Sequence, residues 1–108
     1  MARFDKAREL IRRFKGASYL HGVGVLAGAG AMAAGLGRKA ALVRDAFPGS
    51  GPHERTLLDA LAGAGVTVAG VIDGAPPNAP REHVARIAAE LARWDPDVIV
   101  SFGGGSTI

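Results

Sequence analysis

Apolar positions along the chain fall into two patterns, compact apolar runs and stripes at helical spacing. Three runs have the length of a strand and contain few polar residues: KAALV (39–43), VTVAGVI (66–72) and DVIVSF (97–102). Runs without polar alternation are typical of strands that are covered on both faces of a parallel sheet. The sequence therefore predicts three buried strands.

The segments between these runs have the spacing of helices. In 81–94, apolar residues recur at i, i+3, i+4 and i+7, and Glu82 and Arg86 are spaced for an ion pair on the polar face. Another helix is predicted from about Pro52 to Gly63. Strands that alternate with helices predict an α/β fold, with a parallel, doubly wound, Rossmann-like sheet and flanking helices.

The N-terminal region is less regular. Residues 3–15 place Phe4, Leu10 and Phe14 on one apolar stripe among basic residues. Such a helix binds membranes in some proteins, but we expect it to dock its stripe onto its own protein. A short strand at ASYL and a helix within the glycine-rich stretch that follows are also predicted.

Composition narrows the class of protein. The chain has 108 residues, is 48% apolar and contains no cysteine, which predicts a folded domain without disulfides or thiolate metal sites. The net charge of +3 comes from arginines interleaved with carboxylates, without an aromatic stacking motif, so we expect no nucleic-acid partner. No apolar run approaches the ~18 residues of a membrane span and the N-terminus is charged, so we expect a cytoplasmic protein.

Residues able to bind a ligand collect where the predicted strands end. The carboxyl ends of parallel strands share one edge of the sheet, where ligands of such sheets bind. These residues are Asp45 after the first strand, Asn78 after the second, and Gly103, Gly104, Gly105 and Ser106 after the third. Consecutive glycines let the backbone approach a pyrophosphate, and the serine adds a hydroxyl donor. Asp45 is placed to accept a hydrogen bond from a ribose, although a solvated loop aspartate explains it equally well.

A second glycine motif competes with this one. Gly22, Gly24 and Ala27 fit the dinucleotide fingerprint G-x-G-x-x-G/A, with Asp45 about twenty residues further on. The preceding segment is a poor buried strand, and one match among 16 glycines is weak, so we expect a structural turn here. The histidines lack metal-ligand spacing and no nucleophile lies beside a base, so no catalytic or metal residue is predicted.

The segments YLHGVGVL, KAALVRD, PNAPREHV and DVIVSFGGGSTI occur in the order and spacing of a known family. Residues 17–108 resemble the iron-containing (group III) alcohol dehydrogenases. The wider superfamily includes glycerol dehydrogenases and, more distantly, dehydroquinate synthases. One departure is Ala79-Pro80 after Pro77-Asn78, where many members have Pro-Thr, so that a threonine N-cap is missing.

The resemblance implies an enzyme that transfers hydride between a small alcohol or aldehyde and the nicotinamide of NAD or NADP. It implies that Asp45 meets the adenosine ribose, that Asn78 lies near the cofactor, and that Gly103 to Ser106 hold the pyrophosphate. A divalent metal, iron or zinc, is expected in a helical C-terminal domain that this sequence lacks.

On this interpretation residues 1–16 form an N-terminal amphipathic helix and residues 17–108 a partial dinucleotide-binding domain. We then expect the chain to be the N-terminal part of a longer enzyme, inactive alone, with a homo-oligomer as one possible assembly. A polyol or sugar-phosphate dehydrogenase, a dehydroquinate-synthase-like enzyme and a non-catalytic nucleotide-binding module remain alternatives.

Overall fold

The computed structural model describes residues 2–104 and 108, which contain four α-helices and three β-strands. In chain order the elements are α1 (Ala2–Lys15), α2 (Ala29–Ala34), β1 (Lys39–Arg44), α3 (Ser50–Gly63), β2 (Thr67–Asp73), α4 (Arg81–Trp94) and β3 (Val98–Phe102). Two short 3-10 turns, Gly16–Ser18 and Val25–Gly28, lie between α1 and α2. The strands and the two long helices that connect them begin and end within two residues of the predicted bounds.

The strand β1 lies at the centre of the sheet, with β2 on one side and β3 on the other, and all three are parallel. Leu42 pairs with Val71 of β2 and with Val100 of β3. Ala40, Ala41 and Leu42 are 0% exposed. A strand covered on both faces requires apolar residues in succession, which explains the absence of alternation in this run. The predicted fold class is confirmed: the sheet is parallel, with helices flanking it.

The main core lies on the face of the sheet that carries α2 and α3. Leu57 and Leu61 of α3 pack with Ala40, Leu42 and Val98 from the sheet. Full burial of a leucine side chain contributes roughly 1.5–3 kcal/mol. This face therefore holds α3 firmly against β1 and fixes the loop that joins them.

The opposite face carries α4, and a glycine beside a β-bulge in β2 lets this helix pack closely. Ala40 pairs with Val68 but Ala41 pairs with Gly70, so one extra residue of β2 is accommodated there. A side chain at Gly70 would overlap the ring of Trp94, which ends α4. The glycine therefore lets Trp94 lie directly against the sheet.

The same face is only partly covered near β3. Ile99 is 54% exposed, and it lines an open apolar cavity of about 370 Å³ together with Val43 and Leu91. Parallel sheets are normally covered on both faces. The part of this face around Ile99 is therefore less covered than is usual.

The helix predicted in the glycine-rich stretch is present as the short α2, preceded by the 3-10 turn Val25–Gly28. Two other expectations for the N-terminal region are wrong. The segment ASYL is not a strand, because the 3-10 turn Gly16–Ser18 gives way to irregular backbone. The stripe of α1 is not docked on the described part of the protein, since Phe14 is 82% exposed and Phe4 and Leu10 are about half exposed.

Candidate functional site

The order of the strands places a topological switch point at the carboxyl edge of the sheet. The connection from β1 to β2 runs through α3 on one face, and the connection from β2 to β3 runs through α4 on the other. The chain thus leaves β1 in one direction and returns to its other side in β3. Ligands of open α/β sheets bind where neighbouring connections diverge in this way. The candidate site is therefore the carboxyl edge between β1 and β3.

Asp45 is the first residue after β1 and lies at this edge of the sheet. Its backbone N–H donates to the carbonyl oxygen of Phe102 at 2.8 Å, which ties it to the end of β3. The side chain is exposed, and no donor within the described residues is bound to its carboxylate. Asp45 therefore presents a free acceptor beside the end of β3.

The glycine turn follows β3 at the same edge of the sheet. β3 ends at Phe102, and Gly103 has φ of 150°, in the region that glycine adopts far more readily than other residues. Among the described residues, a Cβ built at Gly104 would meet no atom within 4 Å, so packing against this part of the protein does not require a glycine there. The open space is what a pyrophosphate at this turn would need. Gly105 and Ser106, which the sequence assigns to the same turn, lie outside the described residues.

Asn78 lies in the loop between β2 and α4. It has φ of 69° and Ala79 has φ of 45°, so two successive residues adopt the left-handed region. Asparagine tolerates this conformation, whereas an alanine there is strained, a feature found often at functional sites. Ala79 lines the apolar cavity together with Ser101 and Ile108, which brings this loop near the end of β3.

The same loop leads into α4 without a side-chain cap. Pro80 occupies the N-cap position and makes no side-chain hydrogen bond to the helix. Serine, threonine, aspartate and asparagine are the usual N-caps because their side chains accept hydrogen bonds from the first turn. The absence of a cap is what the departure from the Pro-Asn-Pro-Thr pattern predicted.

A second group of polar residues at this edge was not predicted as a site. A groove of about 470 Å³ lies beside Asp45, and its other lining residues are Asp73, Gly74, Ala75, Pro76, His83 and Arg86. The side chain of Arg44 lies next to it and forms ion pairs with Glu54 and Asp73. The available signal was positional, since Arg44 and Asp73 are the last residues of adjacent parallel strands.

The role predicted for Arg86 is wrong. Instead of pairing with Glu82, its Nη2 donates to the carbonyl oxygen of Asp73 at 2.9 Å and lies 3.4 Å from Nδ1 of His83. An arginine on a helix binds carbonyl oxygens of a neighbouring loop when they are closer than a side chain on its own helix. Arg86 therefore holds the end of β2 against α4 and shapes the groove.

The fingerprint at Gly22, Gly24 and Ala27 does not form a dinucleotide site. In that motif the glycines follow a strand and open a helix. Here irregular backbone precedes Gly22, and Gly24 leads only into a four-residue 3-10 turn. The preference for a structural turn is confirmed.

The described residues contain no group of three or more histidine, cysteine, aspartate or glutamate side chains able to hold a metal ion. Nor does any helix among them have the length and apolar character needed to cross a membrane. The described residues offer a carboxylate, exposed backbone and the nearby cations Arg44 and Arg86.

Comparison with known proteins adds to this geometry. No individual curated protein is similar enough to the chain to count as a match. A family model, iron-containing alcohol dehydrogenase, matches residues 16–108, and these residues correspond to the N-terminal part of that family. The match includes all three strands and both sides of the candidate site. The chain therefore belongs to the iron-containing alcohol dehydrogenase family, a family of oxidoreductases.

Proposed function

We propose that this chain forms the cofactor-binding part of an iron-type alcohol dehydrogenase and that its cofactor is NAD or NADP. The observation that carries this proposal is the hydrogen bond from the Asp45 N–H to the Phe102 oxygen at 2.8 Å. It joins the residue that carries an exposed carboxylate to the residue that precedes the glycine turn, at the edge where α/β sheets bind nucleotides.

The Asp45 carboxylate and the glycine turn suit different parts of a dinucleotide. The Asp45 carboxylate accepts hydrogen bonds from ribose hydroxyls, as acids at strand ends do in dinucleotide sites. The open space over Gly104 admits a pyrophosphate, to which backbone N–H groups donate. When bound, nicotinamide supplies the hydride chemistry of an alcohol dehydrogenase, while the residues of this chain bind and orient the cofactor.

Asn78 and the two glycine-turn residues beyond Gly104 complete the proposed binding set. The left-handed backbone at Asn78 and Ala79 supports a role for this loop, because strained backbone at a sheet edge is typical of ligand-binding loops. We expect Asn78 to lie beside the cofactor, and Gly105 and Ser106 to donate to its phosphates.

The proposal is tested by titrating the ¹⁵N-labelled 108-residue chain with NAD and following the backbone amide signals. We expect the largest shifts at Asp45, Gly103 and Gly104, and none at Arg38 and Lys39, which lie at the opposite edge of the sheet. Shifts concentrated at the opposite edge, or no shifts at millimolar NAD, would refute the proposal.

A further inference from the structure

Arg44 is the last residue of β1 and immediately precedes Asp45. Its Nε lies 3.3 Å from Oε1 of Glu54 on α3, and its Nη2 lies 3.3 Å from Oδ1 of Asp73 at the end of β2. One guanidinium therefore lies between two carboxylates that come from different elements. Its position depends on both of them.

The two ion pairs differ in their exposure to solvent. The side chains of Arg44 and Glu54 are 28% and 22% exposed, whereas that of Asp73 is 77% exposed. Water screens the pair with Asp73 more strongly, so Glu54 is the firmer partner. The Nε atom of Arg44 is buried and forms no hydrogen bond within the described residues, so its contact with Glu54 is an ion pair alone.

The partly buried guanidinium of Arg44 has a strong affinity for an anion, because a buried charge without a partner costs free energy. A guanidinium is also well suited to phosphate, which it binds with two parallel hydrogen bonds. In this structure Glu54 and Asp73 are the anionic partners of Arg44. Without them, the guanidinium next to Asp45 is free to meet a phosphate on the ribose.

We propose that Arg44 sets the choice between NAD and NADP, and that Glu54 and Asp73 favour NAD by keeping Arg44 from the 2′-phosphate. This inference rests on the proposed function. A neutral ribose hydroxyl suits the Asp45 carboxylate, whereas a 2′-phosphate beside it faces two carboxylates in the same groove, Asp45 and Asp73. Arg44 is already shared between two partners, and Arg86, which also lines the groove, donates to the carbonyl oxygen of Asp73.

The test compares the dissociation constants of NAD and NADP for the 108-residue chain, measured by amide-shift titration. We expect NAD to bind more tightly to the unmodified chain. The double variant Glu54→Gln/Asp73→Asn should narrow this preference by about tenfold, the size expected for one new charge-assisted contact. Glu54→Gln alone should have the larger share of the effect, because Glu54 is the firmer partner.

Two further variants separate the release of Arg44 from a mere loss of negative charge. The control variant Asp59→Asn/Glu82→Gln also removes two negative charges, one from α3 and one from α4, but keeps both ion pairs of Arg44. It should leave the preference for NAD over NADP unchanged. Adding Arg44→Gln to the first double variant should abolish the gain in NADP binding. The amide spectra of all variants show whether each remains folded.

The outcomes distinguish this inference from the proposed function. If the matched control narrows the preference equally, or if the gain survives Arg44→Gln, the inference is overturned while cofactor binding stands. If Asp59→Asn/Glu82→Gln has no effect and Arg44→Gln removes the gain, the inference is supported. If the unmodified chain binds neither dinucleotide, the proposed function fails and the inference fails with it.

Discussion

Two aspartates flank the central strand, Asp97 at the amino edge of the sheet and Asp45 at the carboxyl edge. The Oδ1 atom of Asp97 accepts hydrogen bonds from the backbone N–H groups of Arg38 and Lys39, at 2.9 and 2.8 Å. The Asp45 carboxylate binds no donor in the described part of the chain. The first aspartate is bound to the protein's own backbone, and the side chain of the second is exposed.

This difference matches the general division of labour in α/β sheets, where ligands bind at the carboxyl edge. At the amino edge, the Asp97 N–H also donates to the Lys39 carbonyl oxygen at 3.0 Å, so the starts of β1 and β3 are joined by three hydrogen bonds. These bonds hold the strands in register. Asp97 and Asp45 therefore differ in their hydrogen bonds although both lie beside β1.

The largest effect is expected from placing the same alanine at each edge. A Cβ at Gly37 would overlap the Asp97 carboxylate, whereas a Cβ at Gly104 meets no atom of the described residues within 4 Å. Gly37→Ala should lower the free energy of unfolding by about 1–3 kcal/mol, as overpacking does. Gly104→Ala should leave it nearly unchanged and weaken NAD binding. Chemical denaturation and NAD titration of both variants measure the contrast, and equal losses of stability would contradict it.

The next effect comes from removing each carboxylate. Asp45→Ala should weaken NAD binding by about tenfold, because hydrogen bonds to a charged acceptor are lost, and should weaken NADP binding less, because a repulsion is also removed. Thermal unfolding should be little changed. Asp97→Ala should do the reverse, lowering the unfolding temperature because two backbone donors lose their acceptor. Equal losses of NAD and NADP binding in Asp45→Ala would mean that Asp45 is not the ribose partner.

The smallest effect concerns pH. The hydrogen bonds from the backbone N–H groups of Lys39 and Arg38 hold the pKa of Asp97 below its ordinary value of 3.8. A lowered folded-state pKa contributes stability that is complete above the ordinary value and is lost as the pH falls through the folded value. Unfolding midpoints measured from about pH 5 to pH 2 should therefore fall less steeply in Asp97→Asn than in the unmodified chain. Parallel plots of unfolding midpoint against pH for the two proteins would show that Asp97 does not contribute to the loss of stability in acid.

The polarity pattern of the chain was sufficient to predict the sheet and to place the candidate site at the carboxyl edge of its strands. Apolar runs of strand length and helical stripes depend on near neighbours in the sequence, so they predicted three strands, α3 and α4 and placed Asp45 and Gly103 at the same edge. The family resemblance rested on these same segments, and the match over residues 16–108 agrees with it.

Partners distant in the chain were decided only by the tertiary structure. Asp97 and Arg38 are 59 residues apart, and nothing in the local pattern distinguishes Asp97 from Asp95 as the acceptor at the amino edge. Arg44 lies between Glu54 and Asp73, and Arg86 binds the end of β2 rather than Glu82, because packing sets which charges come within reach. The sequence determines which residues are apolar, and therefore which segments have a face that packing can bury. Which polar groups meet depends on the register of the strands and on the face that each helix covers, and these follow from packing over the whole chain.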